Sequence, residues 1–366
     1  MSFETENLIR DAQNSLRIRP ESASLYRNSR DALLDTVNSF MTALPEITGL
    51  IGGNPMSMMR DNHSNHLDFM STVFEFNSFE LLVKTVPWVY HSYVAHGFSL
   101  DYFPLELKVW KTAVQKLLPP EAAGEINAVY EWMLKHHDRM VELSTVLLGP
   151  GEIYPELKGE RKRFGACLLA ADYPLCMKIA GSVLERKDGQ EALYLGLIQP
   201  VMYEIGYLWE QDKISAAEEH MATSIVGRIL AGLYGRLPVS PVKRGRAVVT
   251  SAPNEFHELG ARILADMMEA DGWDIYFLGA NTPAEELIKL VKKADPRFLA
   301  ISVTMPFNMD RVAAIISGMK NDSGLSSVKI LVGGGAFHTD RTLWQKIGAD
   351  AWAEDAPSAI RQVESW

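Results

Sequence analysis

Between about residue 20 and residue 145 the apolar side chains recur three and four apart, as in Leu33-Leu34-Val37-Phe40-Met41-Leu44, and strand-like alternation is nearly absent. The breaks fall at Gly52-Gly53-Asn54-Pro55 and Pro119-Pro120, residue types that stop and start helices. This rhythm predicts an all-helical domain of about five or six helices over residues 1–150. A second helical block carries patterns near 161–170, 174–187, 190–210 and 215–236. In the last of these Ser215 and Glu218 have the spacing of a capping box, which starts that helix just before Glu219 and His220. Four such helices with short connections predict a compact bundle over residues 151–240.

The rhythm changes after the linker Pro238-Val239-Ser240-Pro241-Val242-Lys243-Arg244-Gly245. Strand patterns at 247–251, 275–278, 298–304 and 328–332, with a weaker one at 350–353, alternate with helical ones. Parallel neighbours need crossover connections, so this alternation predicts a doubly wound parallel sheet of flavodoxin or Rossmann type over residues 241–366. The fold class is thus multidomain α and α/β.

Composition narrows the function. Asp and Glu number 46 against 36 Lys and Arg, a formal charge of -10, which disfavours attraction to nucleic acid or anionic lipid. The polar, acidic start lacks the basic and apolar regions of a secretion signal, and no apolar run approaches the length of a membrane span. The two cysteines, Cys167 and Cys176, lie in one helical stretch, and no disulfide framework is expected of them. A cytoplasmic location, with neither nucleic acid nor membrane as partner, is expected.

The chemistry concentrates at Glu255-Phe256-His257-Glu258-Leu259-Gly260, on the loop leaving the carboxyl end of the first strand, where open α/β sheets bind ligands. An imidazole there can ligate a metal through one ring nitrogen while a carboxylate holds the other. Read alone, it is more simply a polar residue at a helix start. Ser302-Val303-Thr304 ends the third strand, Gly333-Gly334-Gly335 ends the fourth, and nine residues separate Trp209 from Glu219-His220.

Together these residues resemble the cobalamin-binding domains of methionine synthase, methylmalonyl mutases and light-sensing cobalamin regulators, which share an acidic residue, any residue, histidine, two residues and glycine. Glu255, His257 and Gly260 match that motif, with glutamate where aspartate is commoner. The resemblance implies that His257 is the lower axial ligand of cobalt, displacing the cofactor's own benzimidazole. Ser302 then hydrogen-bonds the displaced nucleotide tail, Thr304 stands where leucine is usual, and Gly333 and Gly334 line the tail channel. Without Cβ atoms these glycines let backbone approach a flat heterocycle.

On the upper side, Trp209 with Glu219-His220 resembles the helical cap of adenosylcobalamin photoreceptors. The resemblance implies an indole packed over the adenosyl group, Glu219 accepting from ribose hydroxyls, and further polar contacts from Glu255 and Asn281. Glu210 departs from the family, where a histidine follows the tryptophan.

Six of the nine histidines lie in the amino-terminal domain: His63, His66, His91, His96, His136 and His137. The stretch Val86–Ser99 resembles a globin-type sensor helix and its turn. The whole arrangement of helical domain, cap and cobalamin domain resembles the photocobilins, which hold biliverdin beside cobalamin. That implies a bilin near Tyr90, His91, Tyr93 and His96, with Arg60 and Arg139 for its propionates. Residues 1–150 contain no cysteine, so a bilin there is non-covalent. Haem with His96 as proximal ligand, or no cofactor, are the alternatives.

The expectation is a light sensor rather than an enzyme, binding adenosylcobalamin and biliverdin, forming a homodimer and reporting to a downstream signalling protein. The rival readings are a corrinoid protein carrying methyl groups between partner methyltransferases and a haem-based gas sensor. A mutase is disfavoured, because no stretch reads as its substrate barrel of about 250 residues.

Overall fold

The computed structural model describes residues 3–145, 154–238 and 240–366. Before residue 146 the described residues form nine helices, more than the five or six expected. One, Phe3–Ser15, precedes the region of clear periodicity. Others arise from breaks too brief to disturb an apolar rhythm: at Ser29 one helix ends and the next begins, separating Pro20–Asn28 from Arg30–Thr42.

The stronger breaks have stereochemical causes. Pro20 and Pro120 occupy first-turn positions, where a missing N–H costs nothing. Gly52 takes φ +63°, and a Cβ there would lie 2.0 Å from the Gly97 carbonyl oxygen, so two backbones cross at a point that only glycine permits. The Met56–Phe76 helix stops at Asn77 in the left-handed conformation. The Asn77 side chain then pairs with Ile18, accepting from its N–H at 2.8 Å and donating to its carbonyl at 2.9 Å.

These helices form one compact unit that also takes in Val303–Ser317 and Gly335–Gly348, the segments following two of the sheet strands. Its core holds the fully buried rings of Tyr26, Phe74, Tyr102, Trp110 and Tyr130.

The remaining described residues form the second unit, a helical cap joined to the sheet. The cap consists of Lys158–Leu169, Tyr173–Leu184, a helix running from Gly189 to Glu210, and Ala216–Leu233. The third of these widens to a π-helix over Ala192–Ile198. Pro200 comes two residues after this stretch and cannot donate to the carbonyl four residues back, so the wider register precedes the place where the α-helical ladder fails. The expected capping box forms: Ser215 Oγ accepts from Glu218 N at 3.2 Å, and Ser215 N donates to Glu218 Oε2 at 2.7 Å. Cys167 and Cys176 are free thiols in the cap core.

The sheet comprises β1 (Gly245–Ser251), β2 (Trp273–Phe277), β3 (Phe298–Ser302), β4 (Lys329–Gly333) and β5 (Ala351–Ala353), all parallel, in the order β2-β1-β3-β4-β5. This flavodoxin-like order places a topological switch point between β1 and β3, where such sheets open a crevice. The cap core continues into the Leu259–Ala270 helix through Ile263 and Met267. Tyr194 Oη also donates to Asp266 Oδ2 at 2.7 Å. The helix that follows the His257 loop is thereby fixed from the cap side.

Candidate corrinoid site

The loop after β1 is built around a buried carboxylate. Glu255 has 1 % of its side-chain surface exposed, whereas His257 has 58 %. The two are joined by a 2.5 Å hydrogen bond between His257 Nδ1 and Glu255 Oε1. This bond pushes the imidazole pKa upward against the opposing effect of burial, and the charges of Glu255 and Glu219 add to the rise. Because Nδ1 is committed to the carboxylate, Nε2 is the ring atom that can ligate a metal, the arrangement found behind metal-bound histidines.

Three further contacts hold this loop, and the sequence suggested none of them. Ser251, the last residue of β1, donates from Oγ to the His257 carbonyl at 3.1 Å. Asn281 Oδ1 accepts from Asn254 N at 2.8 Å, while Asn281 N donates to the Glu255 carbonyl at 3.1 Å. Asn254 and Asn281 both adopt positive φ, at 63° and 52°, which asparagine tolerates better than most residues. Asn281, expected to touch the cofactor, thus uses its side-chain oxygen and backbone N–H to clamp the loop that carries Glu255 and His257. The only signal in the sequence was an Asn on the β2 loop beside the first switch-point loop.

The strand register aligns the lower residues. Ser251 pairs with Ser302, and Ser302 with Gly333, in one row across the carboxyl ends of β1, β3 and β4. A Cβ on Gly260 would come no nearer than 3.8 Å, to Ser302 Oγ, an ordinary van der Waals contact that places Gly260 beside Ser302. A Cβ on Gly333 would lie 3.1 Å from the Ala353 carbonyl, so Gly333 is small partly to admit β5. Gly334 takes φ +97°, a conformation that favours glycine. A row of small and hydroxyl-bearing positions beside an imidazole with a free Nε2 fits a base-off corrinoid: a nitrogen for cobalt, and a wall of little side-chain bulk for the tail. Thr304 lies two residues past β3, on the segment that folds with the amino-terminal helices.

On the cap side, Glu219 Oε2 pairs with His220 Nδ1 at 2.6 Å, and its Oε1 accepts from Thr223 Oγ1 at 2.8 Å. Its charge is felt at His257, so cap carboxylate and loop imidazole share one electrostatic environment. Trp209 is half-buried near the end of the Gln199–Glu210 helix, which packs against Ala216–Leu233 through a tight turn with Asp212 at φ 52°.

Of the amino-terminal candidates, Tyr90 and Tyr93 both lean on the ring of Phe103. Tyr90 stacks on Phe103 with centroids 3.9 Å apart and hydrogen-bonds His137 Nδ1 at 3.1 Å. Tyr93 leans on Phe98 and Phe103, and burial raises its pKa well above the ordinary tyrosine value. His96 Nδ1 donates to the Ser92 carbonyl at 2.7 Å, and His91 Nε2 is buried with no hydrogen-bond partner. Arg139 pairs with Glu142 and Glu4. A different polar cluster, unmarked by any motif, lies deeper. His63 bonds Asn38 at 2.7 Å and Tyr102 at 2.8 Å, Tyr26 bonds Tyr130 at 2.7 Å, and Trp110 donates to Glu106 at 3.1 Å. Burial pushes Glu106 up to about 7 and His63 down to about 4. Among the described residues, no group of three His, Cys, Asp or Glu side chains forms a metal cluster.

Two family models match, both described as B12 binding domain: one over residues 245–361 and the other over 160–234. The chain is a cobalamin-binding protein. Among its relatives, dimethylamine corrinoid protein 3 of Methanosarcina acetivorans is 26% identical over 164 residues, 44% of this chain and 76% of that one. The dimethylamine corrinoid protein of Methanosarcina barkeri is 26% identical over 189 residues, 50% of this chain and 87% of its own length. The solved structure of the Methanosarcina barkeri monomethylamine corrinoid protein matches with a TM-score of 0.51 at 19% identity, covering 57% of this chain and 100% of that one. That likeness shows a shared fold. Among the described residues no helix is long and apolar enough to cross a membrane.

Proposed function

We propose that this cobalamin-binding protein holds its cofactor base-off through His257 Nε2 and acts as a carrier that presents a cobalt-bound methyl group to partner methyltransferases, without being an enzyme by itself. The observation that carries this reading is the buried Glu255 carboxylate bonded to the exposed His257 imidazole at the carboxyl end of β1. The relatives named as dimethylamine corrinoid proteins support the carrier role. When bound, the corrinoid supplies a cobalt–carbon bond that a nucleophile or light can break. The chain's own residues set its surroundings: Glu255 orients the imidazole, Ser251 and Asn281 hold the loop, and Glu219 with His220 brings a polar edge from the cap. The test is dark transfer from protein loaded with methylcobalamin to a thiol, with a corrinoid-dependent methyltransferase present. The carrier reading expects methyl thioether formed in proportion to the loss of methylcobalamin absorbance, and retention of the methyl group at the protein-free rate would contradict it.

A second reading, a cytoplasmic light sensor with adenosylcobalamin under the cap and biliverdin in the helical domain, draws on two observations. Trp209 and Glu219 lie on neighbouring cap helices, and the matched corrinoid structure is covered completely while 57% of this chain is used. On this reading the residues beyond the carrier fold would serve the light response. Here light-driven loss of the adenosyl group alters a homodimer or a signalling contact. Green light should then change the spectrum and the hydrodynamic size of adenosylcobalamin-loaded protein, and added biliverdin should give a protein-bound visible band. Unchanged size after complete photolysis would reject this reading.

A further inference from the structure

The segments that leave β3 and β4 are gripped by the amino-terminal helices at two buried carboxylates. Asp68, on the Met56–Phe76 helix, is 6 % exposed and receives three hydrogen bonds from two arginines. Arg30 Nε and Nη2 reach its oxygens at 3.0 and 3.3 Å, and Arg311 Nη2, from the segment after β3, reaches Oδ2 at 3.2 Å. Arg311 Nη1 also donates to the Phe307 carbonyl at 3.2 Å, so the guanidinium braces the turn it comes from. A buried carboxylate with two cations is expensive to disturb, because removing one partner strands the others.

The second grip is at Asp340, which is fully buried on the segment after β4. It accepts from Ser78 Oγ, from Thr342 N at 2.9 Å and Thr342 Oγ1 at 2.7 Å, and from Lys346 Nζ at 3.3 Å. Ser78 is the N-cap of the Phe79–Ala95 helix, yet its hydroxyl makes no cap bond there. The usual task of an N-cap serine is given up for a partner 262 residues away. Lys84, six residues further along, donates to the Thr339 carbonyl at 2.7 Å. The two gripped segments are also joined to each other, Ala336 N donating to the Val303 carbonyl at 3.1 Å.

Val303 directly follows Ser302, and Gly335 directly follows Gly333-Gly334, so both grips act on chain immediately beyond the residues that would line the nucleotide tail. We propose that Asp68 and Ser78 are positioning residues of the cobalamin site: by clamping the segments after β3 and β4 they fix the tail channel from the amino-terminal domain. This rests on the base-off reading above.

The test compares aquocobalamin, which carries the nucleotide tail, with diaquocobinamide, which lacks it, by equilibrium titration of the full chain. In Asp68→Ala and Ser78→Ala, affinity for aquocobalamin falls about tenfold while affinity for diaquocobinamide stays within about twofold. Equal losses for both ligands would reduce the grips to general scaffolding, and unchanged affinity for both would remove their role altogether; either overturns the proposal. Ser78→Ala deletes one hydroxyl and supplies the same comparison if Asp68→Ala does not fold. Wild-type protein that takes up neither ligand would overturn the cofactor reading as well, an outcome distinct from equal losses in the variants.

Discussion

The two halves of this molecule use histidine in opposite ways. In the sheet unit, His257 has most of its imidazole exposed and one ring nitrogen committed to a buried carboxylate. In the helical domain, His63 is fully buried and both of its ring nitrogens are bonded to neighbours. The first arrangement leaves a nitrogen for chemistry outside the protein; the second spends both on the protein itself. A histidine's role is therefore decided by what remains unspent after packing, and sequence reports that only where a motif fixes the surroundings.

The contrast can be tested from each side. The largest effect is expected in the helical core: Trp110→Ala should cost about 3–5 kcal/mol of unfolding free energy, because it empties a large closed site and strands Glu106. In denaturant titrations the folded fraction should keep its lower-ligand cobalamin spectrum, and a changed spectrum would dissolve the distinction between core and site. Conversely, His257→Ala should weaken cobalamin more than about 100-fold, since loss of an outer partner alone costs about 10–100-fold, and should cost less unfolding free energy than Trp110→Ala. Glu255→Gln should fall within that lower range.

Stability against pH separates the halves again. Glu106 has a folded pKa of about 7, above its ordinary 4.5, so the folded state holds its proton and stability drains away as pH rises from 4.5 through 7. His63 has a folded pKa of about 4, below its ordinary 6.5, so stability drains away as pH falls from 6.5 through 4. The two effects oppose each other where the windows overlap, leaving Glu106 to dominate just below pH 7, while just above pH 4 His63 acts together with His66, whose pKa burial lowers to about 3. Each contributes a slope of at most about 1.4 kcal/mol per pH unit. Urea unfolding of the helical domain should show a shallow decline from pH 6.5 to pH 7 that Glu106→Gln removes. A decline that survives this substitution would assign the titration elsewhere.

The smallest effect is expected at Asn281. Asn281→Ala removes one hydrogen bond to the ligand loop, for about 0.5–1.5 kcal/mol of cobalamin affinity. A loss as large as that of His257→Ala would instead make Asn281 a direct cofactor contact.

Much of the sheet unit was legible because its signals are local. The alternation of strands and helices, the Ser215–Glu218 box and the Glu255–His257 spacing all act over a few residues, and each appears in the structure. The sequence could not show what long-range packing decides. The clamp of Asn281 on Asn254 spans 27 positions, and the Arg311–Asp68 pair spans 243. Neither has a spacing to recognise. The extra amino-terminal helices escaped because Ser29 breaks a helix without interrupting the apolar rhythm. Glu106 stands in an ordinary amphipathic pattern, and only the fold shows that its carboxyl is buried against Trp110.

The most direct measurement is the electron paramagnetic resonance spectrum of the cobalt(II) cobalamin complex, prepared with protein whose histidines carry the heavy nitrogen isotope. Ligation by His257 predicts that each cobalt hyperfine line, a triplet with ordinary histidine, becomes a doublet on labelling. Triplets that persist after labelling would show that the cofactor keeps its own benzimidazole on cobalt, and would contradict the account.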